Sequence, residues 1–205
     1  MKPFTILTAI AAPLLRDNID TDTIIPSREM KTTGKTGLAG GLFAPWRYLT
    51  PGGRDPDPSF VLNQPQYADA HIILGGSNFG CGSSREHAVW ALAEYGIRAV
   101  IAPSFAPIFA GNCTRNGIVT VALDSKSVAE IAADGRQVTI DLPQQRVALG
   151  TDRSWHFEIG AEPKAMLLEG LDAIELTLKH QAQIAAFQAA DRQARPWIYL
   201  GDAPR

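Results

Sequence analysis

From residue 71 onward, short apolar runs alternate with segments whose apolar residues recur at helical spacing. The short runs are bounded by glycine, proline and aspartate, which is typical of buried strands. Because helices separate most of these strands, we predict right-handed crossovers and an α/β fold with a mostly parallel central sheet. The predicted elements are a strand over 71–75, a helix over 84–95, a strand over 97–102, a short helix around 105–112 capped by Ser104, a strand over 118–123 and a helix near 127–133.

Further strands are predicted before and after this series. Residues 4–15 alternate loosely between apolar and polar types and predict one or two short strands. Pro143-Gln144-Gln145 separates apolar runs at 138–142 and 146–149, which predicts a hairpin added to the sheet. A further short strand is expected over 155–159.

Two longer segments complete the organisation. Residues from about 27 to 66 show little periodicity and are rich in glycine and proline, as functional loops or lids often are. Residues from about 162 to 195 carry apolar positions at helical spacing, and Gly170 is expected to break this helical tail in two. Since no internal repeat or low-complexity tract is present, we predict a single domain over 1–205.

Composition and charge exclude several classes of function. The chain of 205 residues is 45% hydrophobic with a formal net charge of −2, which gives no reason to expect a nucleic acid or an anionic membrane as partner. No apolar run approaches the ~20 residues that span a bilayer, and no signal-peptide pattern is present. Cys81 and Cys113 cannot form a disulfide framework or ligate an iron–sulfur cluster by themselves, so we expect a reducing cytoplasm.

The most informative segment joins the first strand of the regular series to its helix. Residues 75–82 contain four glycines, whose missing Cβ lets the backbone approach a ligand closely. Ser83, Ser84 and Arg85 follow at the expected helix start, where free N–H groups and the helix dipole attract anions. Ser83 and Glu86 also have the spacing of a capping box, so a purely structural role stays open.

Three common glycine-loop motifs do not fit this turn. In a Walker loop a lysine would stand where the chain has Cys81. In a dinucleotide fingerprint the third glycine would replace Arg85. A Gly-x-Ser-x-Gly elbow is absent around the serines, so nucleotide binding and serine acyl transfer both lose support.

Three segments together resemble the swivelling domain of the aconitase superfamily. They are Asp-Asn-Ile-Asp-Thr-Asp-Thr-Ile-Ile-Pro at 17–26, Gly-Cys-Gly-Ser-Ser-Arg-Glu-His-Ala at 80–88, and Ser-Phe-Ala-Pro-Ile-Phe-Ala-Gly-Asn-Cys at 104–113. The chain is most similar to the free-standing form of this β/β/α domain, found in the family of 3-isopropylmalate dehydratase (isopropylmalate isomerase) small subunits. The resemblance covers nearly the full length, including the closing Arg-Pro-Trp-Ile at 195–198.

The resemblance implies roles for three consecutive residues. In this family a serine of the swivelling domain removes the proton next to the carbon that loses its hydroxyl, and Ser83 matches this catalytic base. Arg85 resembles the arginine that binds a substrate carboxylate, for which a planar, bidentate guanidinium is suited. Ser84 either donates to the same carboxylate or caps the helix.

Substrate specificity in this family is set by a loop after the Asp-Thr-Asp segment. Lys31 is our candidate for the basic residue expected near its start, and the neighbouring Thr32 is a second candidate for substrate binding. A solvated loop lysine is the alternative, since lysines are mostly exposed and Lys35 is close by.

Three further residues are candidates for supporting roles. Asp20 and Asp22 either orient the loop or a catalytic partner, or only cap turns. His87 follows Ser83 by one helical turn and is a candidate proton relay, although a packed or capping histidine is the more common situation.

The resemblance also implies a partner protein. In this family the substrate binds a 4Fe–4S cluster held by three cysteines of the large subunit, and this chain does not have three cysteines. We therefore expect no metal and no cofactor on this chain, which would be active only in a heterodimer or a dimer of heterodimers with an iron–sulfur large subunit.

The implied function is a hydro-lyase subunit of leucine biosynthesis. It would isomerise 2-isopropylmalate and 3-isopropylmalate, both dicarboxylic acids, by dehydration to 2-isopropylmaleate and rehydration. A first alternative keeps the chemistry but uses homoaconitate, citraconate or a dimethylmalate-type acid. A second alternative is a carboxylate-binding module without catalysis.

Overall fold

A computed structural model describes residues 1–199 of the chain. Within these residues the strands form one sheet in the order β4-β3-β2-β1-β5-β6-β7. The strands are β1 (Ile6–Leu14), β2 (Ala70–Gly75), β3 (Ala99–Ala102), β4 (Val119–Ala122), β5 (Val138–Asp141), β6 (Arg146–Leu149) and β7 (Arg153–His156). The helices are α1 (Thr21–Ile24), α2 (Ala44–Arg47), α3 (Glu86–Tyr95), α4 (Pro107–Arg115), α5 (Ser125–Asp134), α6 (Ala161–Glu169), α7 (Ala173–Leu178) and α8 (Gln181–Ala194).

The sheet has a parallel half and an antiparallel half that share β1. Strands β1 to β4 pair in parallel, whereas β1 pairs with β5, β5 with β6 and β6 with β7 in antiparallel orientation. The α/β class and the hairpin of β5 and β6 are confirmed. The antiparallel part is larger than the predicted hairpin, because both β1 and β7 join it.

Strand β2 separates two layers of the core. The side chain of Ile73 packs with α3 and α4, whereas Ile72 and Leu74 pack on the opposite side with α5 and β5. This follows from the alternation of side chains along a strand. A strand buried on both faces explains why the sequence shows a continuous apolar run here.

The irregular segment 27–66 contributes to the core although it lacks long elements. It consists of α2, several single 3-10 turns and connecting chain. Leu38, Leu42 and Phe43 within it are fully buried. The segment is therefore fixed along part of its length by apolar contacts, and its exposed stretches lie between those contacts.

Two predicted helix starts are wrong by two residues. Helix α3 begins at Glu86 rather than 84, its N-cap is Arg85, and the predicted capping box does not form. Helix α4 begins at Pro107 rather than 105, and Ser104 does not cap it. The cause at α4 is steric, because a proline holds the residue before it in extended conformation and itself suits the first helical position.

The helical tail is interrupted as predicted at Gly170, which ends α6 in the left-handed conformation with φ +71°. A second interruption separates α7 from α8 near His180. The chain divides into two compact units, Met1–Gly170 and a second unit that starts at Leu171. The single domain over 1–205 stays a prediction. In residues 1–199, none of the helices has the length and apolar content that crossing a bilayer requires.

Candidate active site

The glycine-rich turn, residues 75–85, lies beside the Asp-Thr-Asp segment. The Gly80 N–H donates to the Ile19 carbonyl at 2.7 Å, and the Thr21 N–H donates to the Cys81 carbonyl at 2.9 Å. These bonds pair the two segments like neighbouring strands over a short distance. The first two motif segments of the sequence are thus held together by their backbones.

The third motif segment lies on the other side of the same turn. The Phe79 N–H donates to the Ser104 carbonyl, and the Ala106 N–H donates to the Phe79 carbonyl, both at 3.0 Å. The hydroxyl of Ser104 accepts from the Asn78 N–H at 2.8 Å. Ser104 therefore holds the glycine-rich turn in place instead of capping α4.

Two glycines are required by the close packing of this turn. Gly80 has φ +77°, and a Cβ built on it would lie 2.1 Å from Cγ of Phe109. Gly82 has φ +89°, and its Cβ would lie 3.3 Å from Cβ of Asp20. Both residues adopt the left-handed conformation that glycine tolerates best, and Gly80 also needs the missing side chain for space.

A small cavity of about 90 Å³ lies between the turn and the start of α4. Ser83, Ser84 and Arg85 line one side, and residues 106–109 line the other. Neither α3 nor α4 has a side-chain cap at its N-terminus. Two helix starts with positive dipole ends therefore border one cavity, which favours a bound anion.

Ser83 is exposed at this cavity while its backbone is held firmly. Its carbonyl accepts from the Thr21 hydroxyl at 2.9 Å and from the Arg85 N–H at 2.8 Å. Thr21 itself is only 2% exposed, so this contact ties the turn to the protein core. The arrangement fixes the position of Ser83 and leaves the residue accessible.

Arg85 forms an ion pair with Asp22. The arginine side chain is 28% exposed and the aspartate side chain 56% exposed. A guanidinium has five N–H donors, so a carboxylate can bind Arg85 while Asp22 orients it. Ser84 is exposed and lines the cavity; because α3 starts at Glu86 with Arg85 as N-cap, the capping alternative for Ser84 is wrong.

Asp20 has a local structural role. Its Oδ1 accepts from the Thr23 N–H at 2.6 Å and caps α1. This is the turn-capping interpretation that the sequence left open. Asp20 and Asp22 thus differ in function, since Asp22 reaches across to Arg85.

The remaining candidates do not line the cavity of Ser83. His87 is half-buried and its ring packs on Trp90 with centroids 4.7 Å apart, which favours the packed-histidine interpretation. Lys31 is exposed, and the hydroxyl of Thr32 accepts from the Gly34 N–H at 3.0 Å. Their contact with a substrate stays a prediction.

The sequence did not single out two features of the site. The first is the hydrogen bond from the Thr21 hydroxyl to the Ser83 carbonyl. Thr21 belongs to the Asp-Thr-Asp motif, but the sequence assigned it no role. The second is the uncapped start of α4, which brings Ile108, 56% exposed, to the cavity. Pro107 was the available signal, because proline favours the first position of a helix.

The two cysteines are not arranged as metal ligands. Burial raises the pKa of the Cys113 thiol, which lies in the core beside α3, whereas Cys81 is half-buried in the glycine-rich turn. Within residues 1–199, no group of three or more His, Cys, Asp or Glu side chains could hold a metal ion. The described residues therefore do not fit an iron–sulfur cluster.

Comparison with known proteins identifies the family of this chain. The family model of the aconitase C-terminal domain matches residues 1–126, and that of the C-terminal domain of 3-isopropylmalate dehydratase small subunits matches residues 174–199. The 3-isopropylmalate dehydratase small subunit of Cupriavidus necator is 58% identical, over 98% of this chain and 99% of its own length. That of Magnetococcus marinus is 47% identical, over 98% of this chain and all of its own.

A solved structure shows the same fold. The crystal structure of 3-isopropylmalate dehydratase from Methanocaldococcus jannaschii superposes with a TM-score of 0.67 at 30% identity. The match covers 88% of this chain and 99% of that chain. Because the match with these relatives extends along nearly its whole length, the chain belongs to the family of 3-isopropylmalate dehydratase small subunits.

Proposed function

We propose that this chain is the small subunit of a 3-isopropylmalate dehydratase, a hydro-lyase of leucine biosynthesis. Its complex interconverts 2-isopropylmalate and 3-isopropylmalate through 2-isopropylmaleate. The names of its relatives support the substrate. The observation that carries the chemistry is the cavity where two uncapped helix starts and Arg85 surround an exposed Ser83.

Carboxylate binding is the first role of this cavity. The guanidinium of Arg85 binds one carboxylate of the dicarboxylic acid, and Asp22 keeps the guanidinium in place. The Ser84 hydroxyl and the N–H groups of the two helix starts add donors for the same charge. Lys31 and Thr32, from the loop that follows α1, contact the rest of the substrate.

Proton transfer is the second role, and it falls to Ser83. An alkoxide at Oγ takes the proton from the carbon next to the one that carries the hydroxyl. The electrons of that C–H bond form the double bond of the unsaturated intermediate as the C–O bond breaks and the hydroxyl leaves with the C–O electron pair. A metal centre on the partner would act as the Lewis acid that accepts this leaving group. A serine oxygen acts as a base only where positive potential stabilises its anion, which the helix starts and Arg85 supply.

The metal part of the reaction belongs to a partner. Since the described residues of this chain do not fit an iron–sulfur cluster, we assign the cluster to the large subunit that the name of the relatives implies. The small subunit joins it in a heterodimer or a dimer of heterodimers. A cytoplasmic location goes with the biosynthetic role.

The decisive experiment replaces the proposed base in the reconstituted complex. We expect Ser83→Ala to lower kcat by about 10²–10⁴-fold, the usual contribution of a general base, with little change in substrate binding. The neighbouring Ser84→Ala is the comparison and should lose far less activity. Exchange of the substrate C–H for deuterium, followed by NMR, reports the proton transfer directly. A near-normal exchange rate in Ser83→Ala would remove Ser83 as base.

A substrate panel separates the alternatives. Turnover of isopropylmalate in preference to homoaconitate, citraconate and dimethylmalate supports the proposal, and the reverse preference supports a related hydro-lyase. Binding of these acids without turnover in any complex would instead identify a carboxylate-binding module.

A further inference from the structure

The carboxylate of Glu94, near the end of α3, binds three consecutive backbone N–H groups. Its Oε1 accepts from Gly37 at 2.6 Å, and its Oε2 accepts from Leu38 at 2.5 Å and from Ala39 at 2.8 Å. Gly37 is left-handed with φ +84° and Leu38 is right-handed helical. Successive residues of opposite hand aim their N–H groups into one concave anion site, which here receives a side chain of the same protein.

This contact stabilises the loop conformation rather than the helix. A negative charge at the C-terminal end of a helix opposes the helix dipole, so Glu94 does not stabilise α3. The hydrogen bonds, that from Gly37 first, instead lower the pKa of the Glu94 carboxyl below its ordinary value. The carboxylate is therefore ionised at neutral pH and held by the loop backbone.

The segment between residues 30 and 37, here called the 30–37 loop, is fixed at its other end by Glu29. That carboxylate is nearly buried and pairs with Arg54 at 2.6 Å. Gly41 lies so close that a Cβ on it would be 2.6 Å from Cβ of Glu29. Both ends of the loop are thus attached by a glutamate, and residues 33–37 between them are exposed.

The 30–37 loop also runs along α3 toward the glycine-rich turn that carries Ser83. The ammonium of Lys35 lies 5.6 Å from the ring centroid of Trp90, one helical turn before Glu94, and 3.3 Å from Oδ1 of Asn116. The same helix begins directly after Ser83 and Arg85. Helix α3 has ten residues and is about 15 Å long. The glycine-rich turn with Ser83 therefore precedes its start, and Glu94, which binds the loop, lies near its end.

We propose that Glu94 is a positioning residue for substrate binding. By fixing residues 37–39 to α3, its carboxylate holds the 30–37 loop so that Lys31 and Thr32 meet the acid bound at Ser83 and Arg85. The proposal rests on the proposed function, because it needs a substrate at that turn. It assigns Glu94 no contact with the reacting atoms.

The first test measures the attachment itself, on the full chain. Glu94→Gln keeps the size and helix propensity of the side chain but removes its charge and one acceptor oxygen. We expect amide hydrogen exchange at residues 37–39 to accelerate roughly tenfold or more, the factor that one hydrogen bond to a charged group represents, while β2 keeps its protection. Unchanged exchange at residues 37–39 would overturn the proposal. Glu130→Gln on α5 is the matched control, because the Glu130 carboxylate pairs with Lys126 of its own helix at 3.9 Å.

The second test uses the complex with an iron–sulfur large subunit. We expect Glu94→Gln to raise KM for isopropylmalate about tenfold and to change kcat less than about threefold, since the misplaced loop weakens binding and leaves the base intact. A general loss of folded protein would instead lower kcat and leave KM unchanged. An unchanged KM despite faster exchange at residues 37–39 would overturn the substrate role. Absence of turnover in the unmodified complex would contradict the proposed function, and the exchange test would still decide the attachment.

Discussion

Gly80→Ala places a methyl group where the glycine-rich turn crosses the ring of Phe109. Two penalties follow from the geometry. An alanine at φ +77° is in the left-handed region, which costs about 1–2 kcal/mol for a residue with a Cβ. The new Cβ would also lie 2.1 Å from Cγ of Phe109, so the ring or the turn must move.

A control substitution separates the steric cost at Phe109 from the conformational cost of alanine at positive φ. Overpacking a well-filled core costs roughly 1–3 kcal/mol, so Gly80→Ala should lower the free energy of unfolding by about 2–5 kcal/mol in total. Gly135 has nearly the same φ, +73°, but no atom lies within 4 Å of its Cβ position. Gly135→Ala should therefore show only the conformational cost of about 1–2 kcal/mol.

Urea unfolding of the two full-length variants, followed by far-UV circular dichroism, measures the difference. Their midpoints should differ while the slope of free energy against urea stays the same. Because Gly80 lies in the turn that carries Ser83, its variant should also lose activity in the complex, and Gly135→Ala should not. Equal destabilisation by both substitutions would refute the close approach of Gly80 and Phe109.

Two further predictions follow from single side chains. Native protein should react with Ellman's reagent at Cys81 alone, because Cys113 is buried and its pKa is raised by that burial; two thiols titrating at the same rate would contradict this. The Asp124 carboxylate caps α5, and its hydrogen bonds from Ser127, that of the hydroxyl first, lower its pKa. Its stabilising effect should be complete above the ordinary aspartate pKa of about 3.9 and should disappear as the pH falls through the lower folded value. The Tm difference between wild type and Asp124→Ala, followed from pH 7 to pH 3, tests this.

The parts of the fold that were predicted correctly are those with a local signal. The apolar run of β2 is buried on both faces, so its sequence could be read without knowing its neighbours. The helix end predicted at residue 95 agrees with the C-cap of α3 at Gly96, and the predicted break at Gly170 agrees with the end of α6. Both glycines are in the left-handed conformation, in which glycine commonly ends a helix. Such features depend on residues close together in the chain.

The start of α3 could not be predicted in the same way. Ser83 and Glu86 have capping-box spacing, yet the chain between them turns because the Arg85 N–H donates to the Ser83 carbonyl. The Thr21 hydroxyl, 62 residues away, bonds the same carbonyl. These bonds override the local preference, which moves the helix start past Ser83 and leaves the serine accessible beside the cavity.

The irregular segment 27–66 also has contacts that its sequence does not predict. Its sequence predicts a loop, and no periodicity indicates that Leu38 and Phe43 are buried or that Glu94 binds the chain beside them. The donors to Glu94 are backbone N–H groups, which every residue but proline possesses. The types of the donor residues therefore give almost no signal for this contact. Gly37 is the exception, because its left-handed conformation aligns these donors. Candidate site residues can therefore be proposed from their motifs, whereas the contacts that hold them in place become visible only in the folded chain.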